Sequence, residues 1–265
     1  MANRARNDTR MICPKCHFEQ NDNLSSCPKC GIYFDKYLKY HAQDKTQDRQ
    51  SDSSIVYTQS LIERIKSYDW STLFFYVEDT TDPLYLAGRI LSFLIIFSWG
   101  WLFIFSSIES NYVGESFMHL INLPFHEAGH IIFRPFGSFL TSLGGTLGQM
   151  LIPILCLWTF LFKYRNTFGA AICLWWLGQN FLDIAPYIND ARAGVLPLLG
   201  GNTGHTSPYG FHDWEYLLTE TGLLQYDQLI ARLSFFIGTM MILMALLWSG
   251  FLLFKQVKNL RSEGI

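Results

Sequence analysis

The stretch NLPFHEAGHIIFRPFG, residues 122–137, places two histidines and a glutamate among apolar residues. On a helix, His126 and His130 lie one turn apart on the same face, so both rings can reach one metal ion. Glu127 completes an H-E-x-x-H pattern, in which two imidazoles hold zinc and the glutamate acts as general base. The stretch therefore predicts a catalytic zinc site. The alternative is a polar cluster at a membrane interface, with both histidines hydrogen-bonded to neighbouring helices.

The composition gives this motif a membrane setting. Hydrophobic residues make up 49% of the 265-residue chain and charged residues only 16%, against roughly 25% charged residues in soluble domains. A charged side chain at the middle of a span costs about 2.5–3.5 kcal/mol on insertion scales, and a bound cation compensates for a cluster of such groups. The formal net charge of −2 gives no reason to expect a nucleic-acid partner.

The hydropathy pattern predicts an all-α polytopic membrane protein with about five transmembrane helices. The predicted spans are residues 84–108, 116–135, 138–162, 167–190 and 228–254, and a re-entrant segment at 138–150 would change the count. The expected domains are a small zinc ribbon at 1–40, a linker at 41–83, a transmembrane metalloprotease-like domain at 84–257 and a tail at 258–265. Within the linker, residues 61–77 are expected to form either an interfacial helix or a short soluble helix.

Four cysteines near the N-terminus predict a second, structural zinc site. Residues 13–30 read CPKCHFEQNDNLSSCPKC, so Cys13 and Cys16 form one C-x-x-C pair, and Cys27 and Cys30 form the other. Two such pairs can bring four thiolates to one tetrahedral ion, which would supply the folding energy of so short a segment. Disulfides or a redox dithiol pair are the alternative, but disulfides require an oxidising compartment. We therefore expect a zinc ribbon on the cytoplasmic side.

A catalytic zinc usually has a third protein ligand, and the predicted fourth span offers candidates. Asn180, Asp183, Tyr187 and Asp190 follow one another at helical spacing and form a polar stripe on an otherwise apolar helix. Either Asp183 or Asp190 is the expected ligand, and the other would orient a histidine.

The loop that follows this span is a second source of site residues. His205 or His212 could fold back as a metal ligand or as a hydrogen-bond donor in the transition state. The glycines of the loop would let it act as a lid. Asp213 precedes an apolar run and is interpreted as a helix N-cap.

Three segments together resemble the site-2-type intramembrane metalloproteases: HEAGH, then SLGGTLGQMLIP, then NFLDIAPYINDAR. The resemblance covers roughly residues 84–192. It implies that His126 and His130 bind zinc, that Glu127 is the base, and that the glycine segment forms a hairpin or re-entrant loop near the site. It also nominates Asp190 as third ligand, although Ala191 stands where that family has glycine, so Asp183 remains an alternative.

The expected function is zinc-dependent cleavage of a membrane-bound or membrane-proximal peptide. A non-catalytic, metal-stabilised membrane scaffold with a ribbon that binds a protein partner is the main alternative, and a lipid hydrolase would use the same zinc chemistry. The expected location is the inner or plasma membrane of a bacterium. The positive-inside rule opposes a cytoplasmic ribbon, because five basic residues would then face outward: Lys163, Arg165, Lys255, Lys258 and Arg261.

Overall fold

The computed structural model describes residues 10–40, 70–78 and 82–263, which belong to two compact units, Met1–Asp69 and Trp70–Ile265. The predicted linker at 41–60 lies outside the described residues, and so does the first part, 61–69, of the predicted interfacial helix. The two units have separate hydrophobic cores.

The first unit is a small ribbon. Strand β1 (Arg10–Ile12) pairs antiparallel with β2 (Glu19–Asn21), and residues 34–40 are helical (α1). Its small core consists of the buried Cys13 and Cys27 together with Phe34. Because so few apolar groups are buried, the four cysteines must contribute to holding this unit together.

The second unit is built from helices. They are α2 (Trp70–Phe74), α3 (Pro83–Ile104), α4 (Phe117–Phe133), α5 (Ser138–Trp158), α6 (Thr167–Asn189), α7 (Asp213–Glu220) and α8 (Asp227–Glu263). Side chains of Asp82, Ser116 and Asn166 accept hydrogen bonds from the first backbone amides of α3, α4 and α6, which fixes where those helices begin. Helix α8 continues to Glu263, so residues 258–263 of the predicted tail extend the last helix.

Among the described residues, three helical segments are long and apolar enough to cross a membrane: Pro83–Ile104, Ser138–Lys163 and Leu224–Arg261. The prediction of about five was too high. The other two predicted spans are helices, but α4 has only 17 residues, and most residues of α6 are buried inside the protein. Helix α6 also carries buried polar groups, including Gln179 and Asp183, which lower its hydropathy. An internal helix needs no lipid-facing apolar surface, so a hydropathy pattern alone does not separate it from a span.

Helix α6 forms the centre of the unit and packs along α8. A Cβ atom on Gly178 would lie 2.9 Å from the carbonyl oxygen of Gly238, so glycine on both helices permits their close approach. The main core gathers Trp175 and Leu182 of α6 with Ile242 of α8.

Helices α4 and α5 are also joined through glycines. A Cβ atom on Gly144 would lie 2.7 Å from the carbonyl oxygen of Gly129, and one on Gly148 would collide with the backbone of Phe125. Small residues at these positions let the two backbones touch. Residues 138–158 therefore form one continuous helix, where the resemblance had implied a hairpin or re-entrant loop.

Candidate metal centre

The two motif histidines stand on α4 with their ring orientations fixed by the neighbouring helix. The Nδ1 atom of His126 donates to Oε1 of Gln149 at 2.9 Å, and Nδ1 of His130 donates to the backbone oxygen of Thr141 at 2.8 Å. Both acceptors can only accept, so Nδ1 carries the hydrogen in both rings. In each neutral ring the Nε2 lone pair is then available for a metal ion, as is usual for histidine ligands.

The carboxylate of Asp213 faces both Nε2 atoms. Its Oδ2 lies 3.3 Å from Nε2 of His126 and 3.3 Å from Nε2 of His130. The three residues offer ligand atoms that all lie within 4.8 Å of one another. Ligands about 2.0–2.1 Å from a tetrahedral zinc are separated by about 3.3 Å, so this spacing fits that ion.

The chemistry of these three groups also fits a cation. Two imidazole lone pairs and a carboxylate oxygen repel one another unless a positive charge lies between them. Asp213 is buried, so its carboxylate needs a positive partner. A set of two histidines and one carboxylate leaves a fourth position for water, as in catalytic zinc sites.

Asp213 is held in place by the residues before it. His212, and not Asp213, is the N-cap of α7: its Nδ1 accepts a hydrogen bond from the backbone amide of Glu215 at 3.1 Å. The His212 ring also stacks on Tyr187 of α6, with ring centroids 4.3 Å apart, and the Tyr187 hydroxyl accepts from the backbone amide of Asp213. Burial lowers the pKa of His212, which keeps the ring neutral and able to accept. His212 thus positions the Asp213 carboxylate and does not itself join the cluster.

Glu127 lies beside this centre in a cavity of about 680 Å³. The wall of the cavity also includes His126, His130, Asp213 and Phe211. Gly145 of α5 leaves the space next to the histidines open, because a Cβ atom there would lie 2.6 Å from Nε2 of His130. The motif glutamate and the three candidate ligand residues therefore border the same space, which is large enough for a peptide segment.

The structure places neither predicted aspartate in the cluster. Asp183 lines the same cavity but pairs with another histidine: His119 Nδ1 lies 3.0 Å from its Oδ1, and Asn122 donates to its Oδ2 at 3.0 Å. Asp190 forms the C-cap of α6 and accepts hydrogen bonds from the backbone amides of Val195 and Leu196. Both carboxylates are therefore engaged in holding elements together.

The remaining predicted accessory residues also lie away from the cluster. Asn180 is buried in α6 and donates to the backbone oxygen of Trp176. The His205 side chain is exposed and does not line the cavity; its backbone amide donates to Gly194. Sequence reasoning missed His119, Asn122 and Gln149 as site residues. His119 precedes His126 by seven residues, which is about two helical turns. This spacing places both side chains on one face of the helix and could have indicated His119 as a site residue.

The four predicted ribbon cysteines come together in the first unit. Cys13 and Cys30 have their sulfurs 3.7 Å apart, and Cys16 and Cys27 have theirs 3.6 Å apart. All four are free thiols whose ligand atoms lie within 4.8 Å of one another, so they can hold a metal ion. Burial opposes ionisation of Cys13, but hydrogen bonds from the backbone amides of Cys16 and Lys15 lower its pKa to about 6, which favours the thiolate that binds metals.

Comparison of the sequence and structure with protein families, with curated proteins and with solved structures found no match.

Proposed function

We propose that the protein is a zinc-dependent endopeptidase that cuts a membrane-bound or membrane-proximal peptide. The observation that carries this proposal is the convergence of His126, His130 and Asp213 next to Glu127 on one cavity. The two imidazoles and the carboxylate would hold the ion. This set keeps the predicted histidines and replaces the predicted aspartates by Asp213.

The residues around the ion have distinct roles in peptide hydrolysis. A zinc ion held there supplies Lewis acidity and a water acidic enough to lose a proton near neutral pH. Glu127 accepts one proton from the attacking water as the water oxygen bonds to the peptide carbonyl carbon. Glu127 then delivers that proton to the leaving nitrogen as the carbon–nitrogen bond breaks, which yields an amine and a carboxylic acid, and the acid releases the second water proton to become a carboxylate. Gln149 and the Thr141 carbonyl keep both imidazoles oriented meanwhile.

The membrane setting supports a membrane-bound or membrane-proximal substrate. Three helices are apolar enough to cross a bilayer, and the cavity belongs to the same unit. A membrane protein or peptide is therefore the expected substrate, in the inner or plasma membrane of a bacterium. The four-cysteine ribbon would hold a structural zinc ion on the cytoplasmic side, because its thiols need a reducing compartment, and could bind a protein partner there.

The test is the substitution Glu127→Gln in the detergent-solubilised full-length protein. We expect zinc content and the elution profile on gel filtration to stay unchanged, while cleavage falls about a hundredfold or more. The assay uses fluorescein-labelled casein together with a library of fluorogenic single-span peptides. Glu109→Gln is the control, since Glu109 is exposed and does not line the cavity. Equal cleavage by wild type and Glu127→Gln would exclude the proposed mechanism.

A non-catalytic scaffold is the second candidate, and one observation favours it. The cluster joins α4 to α7 across 87 residues of sequence, so a bound ion would fasten the loop after α6 to the helices. In that case removal of the ion with a chelator would lower the melting temperature, and Glu127→Gln would change neither stability nor any activity. A zinc peptidase also loses stability with the ion, so only the Glu127 variant separates the two functions.

A further inference from the structure

A second polar group lies on the wall of the same cavity. His119 of α4 and Asp183 of α6 both line it, and the His119 ring precedes the first zinc-binding candidate, His126, by seven residues. Seven residues of helix span about 10 Å. His119 is therefore too far along the helix to share an ion with His126, but it borders the space that a bound peptide would occupy.

The hydrogen bonds around Asp183 determine how the His119 ring is protonated. The Asp183 side chain is only 2% exposed, and both of its oxygens contact Nδ1 of His119, at 3.0 and 3.2 Å. A carboxylate can only accept, so Nδ1 carries a hydrogen. A buried carboxylate also requires a positive partner, which favours the imidazolium form of His119 with a second hydrogen on Nε2.

A neighbouring asparagine fixes the carboxylate in this role. Trp176 Nε1 donates to Oδ1 of Asn122 at 2.8 Å, which sets the orientation of the amide. The Nδ2 group of Asn122 then donates to Gln179 at 2.9 Å and to Asp183 at 3.0 Å. Asn122 and Gln179 are fully buried. The network is thus preorganised, and it ends at a histidine whose side chain is 37% exposed.

We propose that Nε2–H of His119, held by Asp183, binds a backbone carbonyl of the substrate peptide about three residues from the cleaved bond. This inference rests on the proposed function. A peptide that is extended for cleavage exposes carbonyls, and each carbonyl that leaves water inside the cavity needs a donor. At about 3.3 Å per extended residue, 10 Å corresponds to three residues. Glu115 also lines this cavity and disfavours an anionic ligand, so a neutral carbonyl fits best.

Peptidyl hydroxamates test this subsite by binding, without any need for turnover. A hydroxamate chelates zinc at one end, and one to four leucines extend from it. Two series are required, one in which the leucines precede the hydroxamate and one in which they follow it. Affinity is measured by calorimetry on the zinc-loaded full-length protein in detergent. In one of the series we expect affinity to rise about tenfold when the third or fourth leucine is added.

His119→Gln should abolish that rise while leaving the affinity of the one-leucine compound unchanged. Glutamine can still donate to Asp183, which preserves the fold, but both of its N–H groups are on one nitrogen, so an amide placed against Asp183 has no donor at the position of the histidine Nε2. Asp183→Asn should reduce the rise in affinity, because a neutral amide no longer favours the imidazolium form that carries a hydrogen on Nε2. His205→Ala is the control, since that exposed histidine lies outside the cavity wall.

The possible failures are distinguishable. The subsite is excluded if the affinity still rises with the third or fourth leucine in His119→Gln. It is also excluded if neither series shows that rise in the wild type. Both outcomes leave the zinc centre intact. Failure of the one-leucine compounds to bind the wild type overturns the proposed function itself, and the subsite with it.

Discussion

At the scale of single residues, the dipeptide His212-Asp213 shows what a sequence can and cannot predict. His126 and His130 lie on the same helix, so their spacing alone predicts that they share a metal ion. The third ligand depends on where the loop after α6 folds back. Asp213 resembled an N-cap in the sequence because it precedes an apolar run, but His212 takes the cap and leaves the carboxylate free to face α4. Capping preferences favour Asp213 over His212, so the observed cap could not be predicted from local sequence.

The choice between the aspartates leads to a prediction about zinc binding. Asp213→Ala should lower the affinity of the membrane unit for zinc at least tenfold, because one of three ligands is lost. Asp183→Asn and Asp190→Asn should retain it, since those side chains bond to His119 and to loop amides. Zinc content of purified protein after dialysis against a graded chelator series measures this. Retention of zinc by Asp213→Ala together with loss from Asp190→Asn would restore the assignment made from sequence.

At the scale of helices, the glycine segment of α5 has two roles that its sequence does not separate. Gly144 and Gly148 contact the backbone of α4, whereas Gly145 leaves room beside the two histidines. The resemblance to intramembrane metalloproteases had implied a hairpin here, and glycine permits turns as readily as close packing. What decides the outcome is the matching small residue Gly129 on the partner helix, and a pairing between two helices is a tertiary contact.

Substitution of adjacent glycines should separate packing from metal binding. Gly144→Ala places a methyl group against the Gly129 carbonyl and should destabilise the unit by about 1–3 kcal/mol, as overpacking does. Gly145→Ala places its methyl group 2.6 Å from Nε2 of His130, so zinc affinity should fall. Gly88→Ala is the control, since its added methyl group meets nothing within 4 Å. Thermal melts and chelator competition give both quantities for each variant.

Two results would contradict the expectations for Gly144→Ala and Gly145→Ala. If Gly145→Ala keeps full zinc affinity, the histidine rings turn aside easily and the site is not preorganised. If Gly144→Ala melts at the wild-type temperature, the contact between α4 and α5 contributes little to stability.

At the scale of the whole molecule, the division into a polar ribbon and an apolar helical body follows from composition, because charge and hydropathy change abruptly along the sequence. The number of membrane spans does not follow from composition. Helix α6 was predicted to span the membrane because its apolar residues outnumber its polar ones, yet its surroundings are mostly protein. Its polar residues Gln179 and Asp183 form a buried hydrogen-bond network with Asn122. Isolated ionisable residues that faced lipid would be costly.

The division into two units also predicts independent metal sites. Each group of ligands comes from a single unit: four cysteines from the ribbon, and His126, His130 and Asp213 from the helical body. Cys27→Ser with Cys30→Ser should therefore remove one of two zinc ions and leave hydroxamate binding intact. His126→Ala with His130→Ala should remove the other ion and leave the ribbon resistant to proteolysis. Cys156→Ser with Cys173→Ser is the matched control, because those thiols lie in α5 and α6 outside both groups.

Zinc stoichiometry of the three double variants distinguishes independent sites from coupled ones. A loss of both ions from the ribbon variant would mean that the helical body needs a folded ribbon to bind its own ion. A loss of neither from the histidine variant would mean that Asp213 faces two imidazoles without a metal between them. The hydrolytic role would then have no electrophile, and only the cysteine site would bind zinc. Independent sites require that the ribbon variant and the histidine variant each lose one zinc ion and that the control loses none.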